Sequence, residues 1–372
     1  MQQQNNQTTR QPSPLPDGRG WGWVFFLLFF LLPSFAQSAP GRIGMYAIGF
    51  YNLENLFDTE HDVVNGEDKN DFEYLPDGAN RWSELKYRHK LKNMSRVLSE
   101  MGTDRLPVGC AIIGVSEVEN AHCLSDLVAQ EPLAQRNFQF CHIEGPDRRG
   151  VDCGLLYNPR FFTPAKVWLK QYSQVDDKGE TVMESPTRGF LTVQGALAGD
   201  SVTVIVCHWP SRLRGGNRPR VWAGEQVRVL KDSIVAANPA MKVFVMGDMN
   251  DDPFDESMAK GLGARRKMED VKPTEMYNPW WQILLDGRGT LKYDGRWNLF
   301  DQIAMSQNCI TGVPTKDYST LTFYKAEIFT RDYLFQDGGR YKGNPKRTHA
   351  GGVWLDGYSD HLPVVTYFVR RQ

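Results

Sequence analysis

The chain has 372 residues, 41% hydrophobic and 23% charged, an ordinary composition for a globular protein with enough chain for one sizeable core. A formal net charge of −1 argues against a strongly basic nucleic-acid-binding body but leaves room for a local basic groove. The six cysteines form no CxxC pair, so their spacing points to neither a zinc site nor a thiol redox centre.

The first forty residues read as a targeting segment. Arg10 and Arg19 precede an apolar run from Trp21 to Leu32, and Ala36-Gln37-Ser38 before Ala39 suits a signal peptidase. The run is about a dozen residues, short of the roughly 20 that a spanning helix needs. Residues 1–38 are therefore expected to be a cleaved signal peptide, and 39–372 one exported domain, periplasmic or secreted. No obligate protein partner is evident, and a monomer is expected. Export permits disulfides, yet Cys110 and Cys207 sit in apolar, strand-like runs and read as small buried hydrophobes.

Short β-rich runs bounded by Gly, Pro, Asn or Asp recur at 45–51, 111–116, 138–143, 153–157, 189–194, 202–207, 242–246, 300–304 and 364–369. Helical spacing appears over 82–101, with Leu85, His89, Met94, Val97 and Leu98 on one face and Gly102 as a stop. It appears again over 221–237, where Trp222, Gln226, Val229, Leu230 and Ile234 share a face. The acidic segment 59–80 and the Trp-, Tyr- and Gly-rich segment 277–296 read as long loops. Many strands with few helices predict two sheets packed face to face with helices outside.

The informative pattern is a recurrence: apolar runs end, one after another, in a polar residue. Asn52, Glu117, His208 and the Gly247-Asp248-Met249-Asn250 turn each close a run, Asp301 opens one, and Asp360-His361 precedes the last. Polar groups at the same end of adjacent strands can converge on one rim, where loops build active sites. Singly, each has a plainer explanation. GDxN is a common turn, because Asp and Asn bond their own backbone, and SDH before a strand is a cap.

Together, in the order FYNLENLFD, IIGVSEVEN, SPTRGF, VCHWPSR, GDMND, FDQIAMS and SDHLPVV, they resemble the endonuclease/exonuclease/phosphatase superfamily. The resemblance implies an α+β fold, a four-layer α/β/β/α sandwich of two mixed β-sheets. It also implies phosphoester hydrolysis with a divalent cation, usually Mg²⁺, with Mn²⁺ or Ca²⁺ as substitutes. Hard carboxylate and amide oxygens suit such an ion. On that pattern Glu117 would serve the metal, Asn52 the metal or a phosphate oxygen, and Asp360 the metal or the placement of Asp248's neighbours, while His361 would contact phosphate or activate water. Asp301 would orient a histidine, Asp248 would bind or deprotonate the attacking water, and Asn250 would donate to phosphate. His208 would protonate the leaving oxygen or stabilise the pentavalent state.

Arg188 is read as a phosphate clamp, against a surface ion pair. Tyr157 is read as a possible neighbour of the site, against a core tyrosine. Arg212, in the arginine-rich run after His208, is expected to touch substrate. Glu54 is held as a second metal ligand or a helix N-terminal charge. The expected partner is a phosphate ester: DNA, a nucleotide or a phospholipid head group. A phosphodiesterase or nuclease ranks first and a phospholipid or small-molecule phosphatase second. A catalytically silent binder ranks last, since every expected position is filled.

Overall fold

A computed structural model of the chain describes residues 41–173, 187–213, 216–293 and 295–372. The expected signal peptide, Ser185 and Pro186 of the SPTRGF run, and Arg214 and Gly215 of the arginine-rich run lie outside the described residues.

The main elements in chain order are β1 (Ile43–Leu56), α1 (Glu84–Glu100), β2 (Ile112–Val118), α2 (Ala121–Val128), β3 (Gln139–His142), β4 (Asp152–Tyr157), β5 (Phe162–Lys170), β6 (Phe190–Leu197) and β7 (Asp200–His208). There follow α3 (Arg218–Ala237), β8 (Lys242–Asp248), β9 (Ala264–Arg265), β10 (Met276–Tyr277), β11 (Asp301–Ser306), β12 (Thr322–Ile328) and β13 (Val364–Arg371). One sheet has the order β12-β13-β1-β2-β4-β3 and the other β9-β10-β11-β8-β7-β6-β5. Both are mixed: β1 runs parallel to β2 but antiparallel to β13, and β8 runs parallel to β7 but antiparallel to β11.

Alternation along the strands builds three cores. Ile48 and Phe50 of β1, Val204 and Val206 of β7, Phe244 and Met246 of β8, and Ile303 of β11 meet between the sheets. Ala47, Tyr51, Ile113 and Val115 face outward onto Leu91, Met94 and Leu98 of α1 and Leu124 of α2. Ile205, Val243 and Val245 face the other way, onto Ala223, Val227 and Ile234 of α3. The result is the predicted α/β/β/α sandwich.

All six cysteines are buried and free. Among the described residues no helix is long and apolar enough to cross a membrane. Both helices occur where their spacing predicts them; Met94, Val97 and Leu98 of the expected α1 face are buried, while on α3 only Ile234 of the expected face is. Leu85 and Val229 are exposed, while Lys90 of α1 and Arg220 and Lys231 of α3 are buried. A buried cation is invisible to hydrophobic periodicity. The 59–80 loop carries a two-residue hairpin at Val63–Val64 and Glu67–Asp68. The 277–296 loop carries a short helix at Trp280–Leu285, whose Trp280 is buried with its indole donating to the Ile303 carbonyl at 3.0 Å.

Candidate active site

Side chains two apart on a strand share a face. Asn52 therefore continues the inward row Ile48–Phe50, His208 the row Val204–Val206, and Asp248 the row Phe244–Met246. Asp301 opens the row that Ile303 and Met305 follow. In register, Asp248 pairs with both His208 and Asp301, so three polar ends meet at one edge of the second sheet. Gly247 makes that pairing possible, because a Cβ there would lie 2.1 Å from the Cys207 carbonyl oxygen. Glu117 breaks the alternation. After Ser116 it would point outward, but it takes a left-handed φ of 59° at a register shift between β2 and β4 and turns its carboxylate to the same edge.

These ends form a buried polar knot. His361 Nδ1 lies 2.7 Å from Asp301 Oδ2, and a carboxylate there fixes the proton on Nδ1 and turns Nε2 toward the site. That Nε2 lies 3.7 Å from Asp248 Oδ2. The same carboxylate oxygen accepts a hydrogen bond from Asn52 Nδ2 at 3.0 Å, while Asp248 Oδ1 accepts the Asn250 backbone N–H at 2.9 Å. Asn250 Nδ2 donates to the Trp209 carbonyl at 2.9 Å. Ser359, which sequence reasoning missed, donates to the Asn52 carbonyl at 2.8 Å and accepts the His361 N–H at 3.1 Å. On the open side, His208 Nε2 stands 3.6 Å from Glu117 Oε1 and 3.7 Å from Asp248 Oδ2.

Charge is distributed unevenly. Burial works against an imidazolium at His361, yet Asp301, Asp248 and Asp360 outweigh it and hold the pKa well above the ordinary value. For His208, burial together with the charges of Arg188, Arg149 and His361 pushes the pKa well below it. A neutral His208 can donate one hydrogen bond to a developing negative charge but is poorly suited to give up an imidazolium proton. Burial raises Asp248 to about 7; the His361 charge opposes this, while Asp301 and Glu117 reinforce it.

Glu54 is not a helix N-terminal charge. It sits at the end of β1 with φ 49°, its carboxylate accepting from Arg347 Nε at 2.9 Å and from the Thr348 N–H at 2.7 Å. Arg347 also reaches Asp360 at 3.1 Å, and buried Lys90 donates to Thr348 and the Tyr358 carbonyl. Burial and Asp360 push Glu54 up to about 7 against Lys90 and Arg347.

Two expectations are corrected. Tyr157 is not near the site. It pairs with Ile112 at the opposite end of β2 and β4, five residues from Asp152 and so about 16 Å along the strand. There its hydroxyl donates to Gln139 and its ring packs edge-on against Phe162. Arg212 is not poised for substrate. Its guanidinium lies within 3.4 Å of Asp251, Asp252 and Asp255, donates to the Asn250 carbonyl and covers the Phe300 ring. It braces the Asn250 turn. Arg188 forms an ion pair with Asp147 at 3.1 Å, but with only 10% of its side chain exposed the pair is buried rather than superficial.

The donor set suits a hard divalent cation. Glu117 spends one oxygen on the Asn55 N–H at 3.1 Å. Its other oxygen, 3.6 Å from His208 Nε2, has no Lys or Arg partner in hydrogen-bond range among the described residues. Five carboxylates (Glu54, Glu117, Asp248, Asp301 and Asp360) crowd one edge, and two of them are pushed up to about 7. Such crowding is relieved by a cation bound through oxygens. Two other groups, Asp58–Glu119–Cys123 and His142–Glu144–Asp152, also bring ligand-type atoms within 4.8 Å of one another; neither includes a residue of the knot.

Residues 47–370 match the model of the Endonuclease/Exonuclease/phosphatase family. No curated protein matches the chain in sequence. Among solved structures the fold is similar to an endonuclease/exonuclease/phosphatase family protein from Bacteroides thetaiotaomicron, at 14% identity and TM-score 0.53 over 89% of this chain and 96% of that one. It is similar to a humanized D. rerio TDP2, at 15% identity and TM-score 0.50 over 87% and 98%. It is also similar to the mannosyl-6-phosphatase Bt3783 of Bacteroides thetaiotaomicron VPI-5482, at 14% identity and TM-score 0.50 over 86% and 98%. At these identities the structural likeness is one of fold. The family match spans nearly all of the described chain, and with it the protein belongs to the endonuclease/exonuclease/phosphatase family, whose members are phosphoester hydrolases that generally use divalent metals.

Proposed function

We propose that the protein is a divalent-metal-dependent phosphodiesterase, with nucleic-acid strands among its substrates, that works by in-line attack of water. One observation carries the reading. A histidine whose Nδ1 lies 2.7 Å from Asp301 turns Nε2 toward a buried carboxylate, Asp248, that is oriented by Asn52. Asp248 can accept the proton of an attacking water as its oxygen bonds to phosphorus. His361 offers Nε2–H to a phosphate oxygen, and neutral His208 and Asn250 line the cleft where charge develops on the pentavalent phosphorus. Glu117, with Asp360 and the Asn52 amide, would hold the ion. When bound, it supplies charge neutralisation for the phosphate and the leaving alkoxide.

The same reading takes residues 1–38 as an export signal and the working protein as a periplasmic or secreted monomer. N-terminal sequencing of the exported protein checks the cleavage site.

The test is hydrolysis of bis-(p-nitrophenyl) phosphate, plasmid DNA, p-nitrophenyl phosphate and sphingomyelin, with Mg²⁺ and with EDTA, by wild type, Asp248→Asn and His361→Ala. The expected result is metal-dependent diester cleavage, reduced at least about a thousandfold in either variant. Preference for the monoester would move the assignment to a phosphatase. Absence of cleavage together with absence of Mg²⁺ or Mn²⁺ binding would overturn the reading in favour of a silent binder.

A further inference from the structure

Among the described residues, an arginine without a carboxylate partner stands beside the polar knot at a position that no motif marks. The loop before β4 carries Asp147, Arg148, Arg149 and Gly150. Because the start of β4 pairs with the end of β2, where Asp152 lies opposite Val118 and Cys153 opposite Ser116, this loop lies over Glu117. Arg149 donates through Nη2 to the side-chain oxygen of Asn55. The N–H of that same Asn55 is held by Glu117 Oε2 at 3.1 Å.

The loop is fixed from beneath. Asp147 Oδ1 accepts the Arg149 backbone N–H at 2.9 Å, while Oδ2 takes Arg188 Nη1 at 3.1 Å and the Thr187 hydroxyl at 3.4 Å. Buried Lys69 donates to the Gly145 and Asp147 carbonyls at 3.2 and 2.9 Å. One carboxylate therefore sets both arginines, and both charges bear on His208.

The two guanidiniums differ in what they have left to give. Arg188 is spent on Asp147 and the Trp209 carbonyl, although its buried Nε has no partner. Arg149 makes its side-chain hydrogen bond to a neutral amide oxygen and forms no ion pair with a carboxylate among the described residues. A guanidinium has five donors, and a neutral acceptor leaves its charge uncompensated.

We propose that Arg149 binds the non-bridging oxygens of the scissile phosphate, with Arg188 behind it and Asp147 as the positioning residue for both. The proposal rests on the phosphoesterase reading above. A fork of parallel donors matches two phosphate oxygens at once, which an ammonium does not.

The test compares wild type, Arg149→Ala, Arg149→Lys and, as a charge control at the far end of β4, Arg160→Ala. It reads steady-state hydrolysis of bis-(p-nitrophenyl) phosphate, calorimetric affinity for inorganic phosphate with Mn²⁺ present, Mn²⁺ affinity alone, and thermal unfolding. For Arg149→Ala the expected fall in kcat/KM is about a hundredfold, with phosphate affinity down about tenfold or more. Mn²⁺ affinity and Tm should be unchanged, Arg149→Lys should recover part of the loss, and Arg160→Ala should match wild type.

Equal loss of Mn²⁺ affinity would mean that Arg149 acts only by holding Asn55 and Glu117, and would overturn the proposal. So would phosphate affinity within twofold of wild type. The calorimetric arm separates the two readings: a wild type that binds phosphate through Arg149 but hydrolyses nothing overturns the phosphodiesterase and leaves the anion site standing. An active wild type indifferent to Arg149 does the reverse.

Discussion

Two arginine-bearing loops border the strand ends, one after β7 and one before β4. The first is the more conspicuous in sequence, with four arginines in ten residues from Ser211 to Arg220. Yet the fold sets the Asp251–Asp255 turn against it, and Arg212 closes on three carboxylates. The second loop carries Arg149, whose side chain meets only an amide among the described residues. A cation's availability is decided by the acceptors that the fold brings to it, and here Arg212 is closed while Arg149 is open. Asp251 shows the structural use of the first loop. Buried, it sits 3.1 Å from Arg212 and 2.8 Å from Arg220 and accepts the Ser257 hydroxyl at 2.6 Å.

The sharpest way to separate a bracing loop from a binding loop is to remove its counter-charge. Asp251→Ala strands buried Arg220 without its carboxylate and should cost about 3–5 kcal/mol in urea denaturation. A loss under about 1 kcal/mol would mean that the cluster braces little. Arg212→Ala removes a partly exposed member and should cost about 1–2 kcal/mol, lowering kcat/KM less than Arg149→Ala does. Should Arg212→Ala instead weaken phosphate binding as much as Arg149→Ala, the two loops would be equivalent and the distinction would fall.

The smallest effect tests the same rule on a carboxylate. Glu119 is pushed up to about 9, chiefly by burial and then by Asp58, with Asp62 and Asp71 adding to it and the Asp58 N–H opposing. The unfolded chain ionises this group near its ordinary 4.5, so the unfolded state gains as pH rises from there toward 9, and stability falls over that window. Glu119→Gln keeps an oxygen for the Asp58 N–H and removes the ionisation. It should raise Tm at pH 8 by several degrees and leave it unchanged at pH 4. An equal shift at both pH values would show that the carboxyl is not held neutral.

Much of the site was legible because alternation is a local property. Asn52, His208, Asp248 and Asp301 follow from the strands' own inward rows, and the sandwich follows from the strand-rich pattern with two helices. Glu117 was found by its motif but not by its direction, since a left-handed φ at a register shift leaves no periodic trace. Periodicity does not reveal the buried cations Lys90 and Lys231, because their partners, such as Thr348 for Lys90 and the Thr274 carbonyl for Lys231, lie far away in sequence. Tyr157 was misplaced because sequence marks a strand's polar end without saying which edge of the sheet it reaches. For Arg149 the only local signal was its place in a turn directly before a strand. Its open charge and Arg212's closed one depend on contacts between distant segments.

The most direct test is a crystal grown with MnCl₂ and inorganic phosphate, with the ion located by anomalous scattering. Mn²⁺ is expected on Glu117 and phosphate between Arg149 and His361, with Arg212 still closed on Asp251, Asp252 and Asp255. Phosphate seated on Arg212, or Mn²⁺ bound away from Glu117, would contradict this placement.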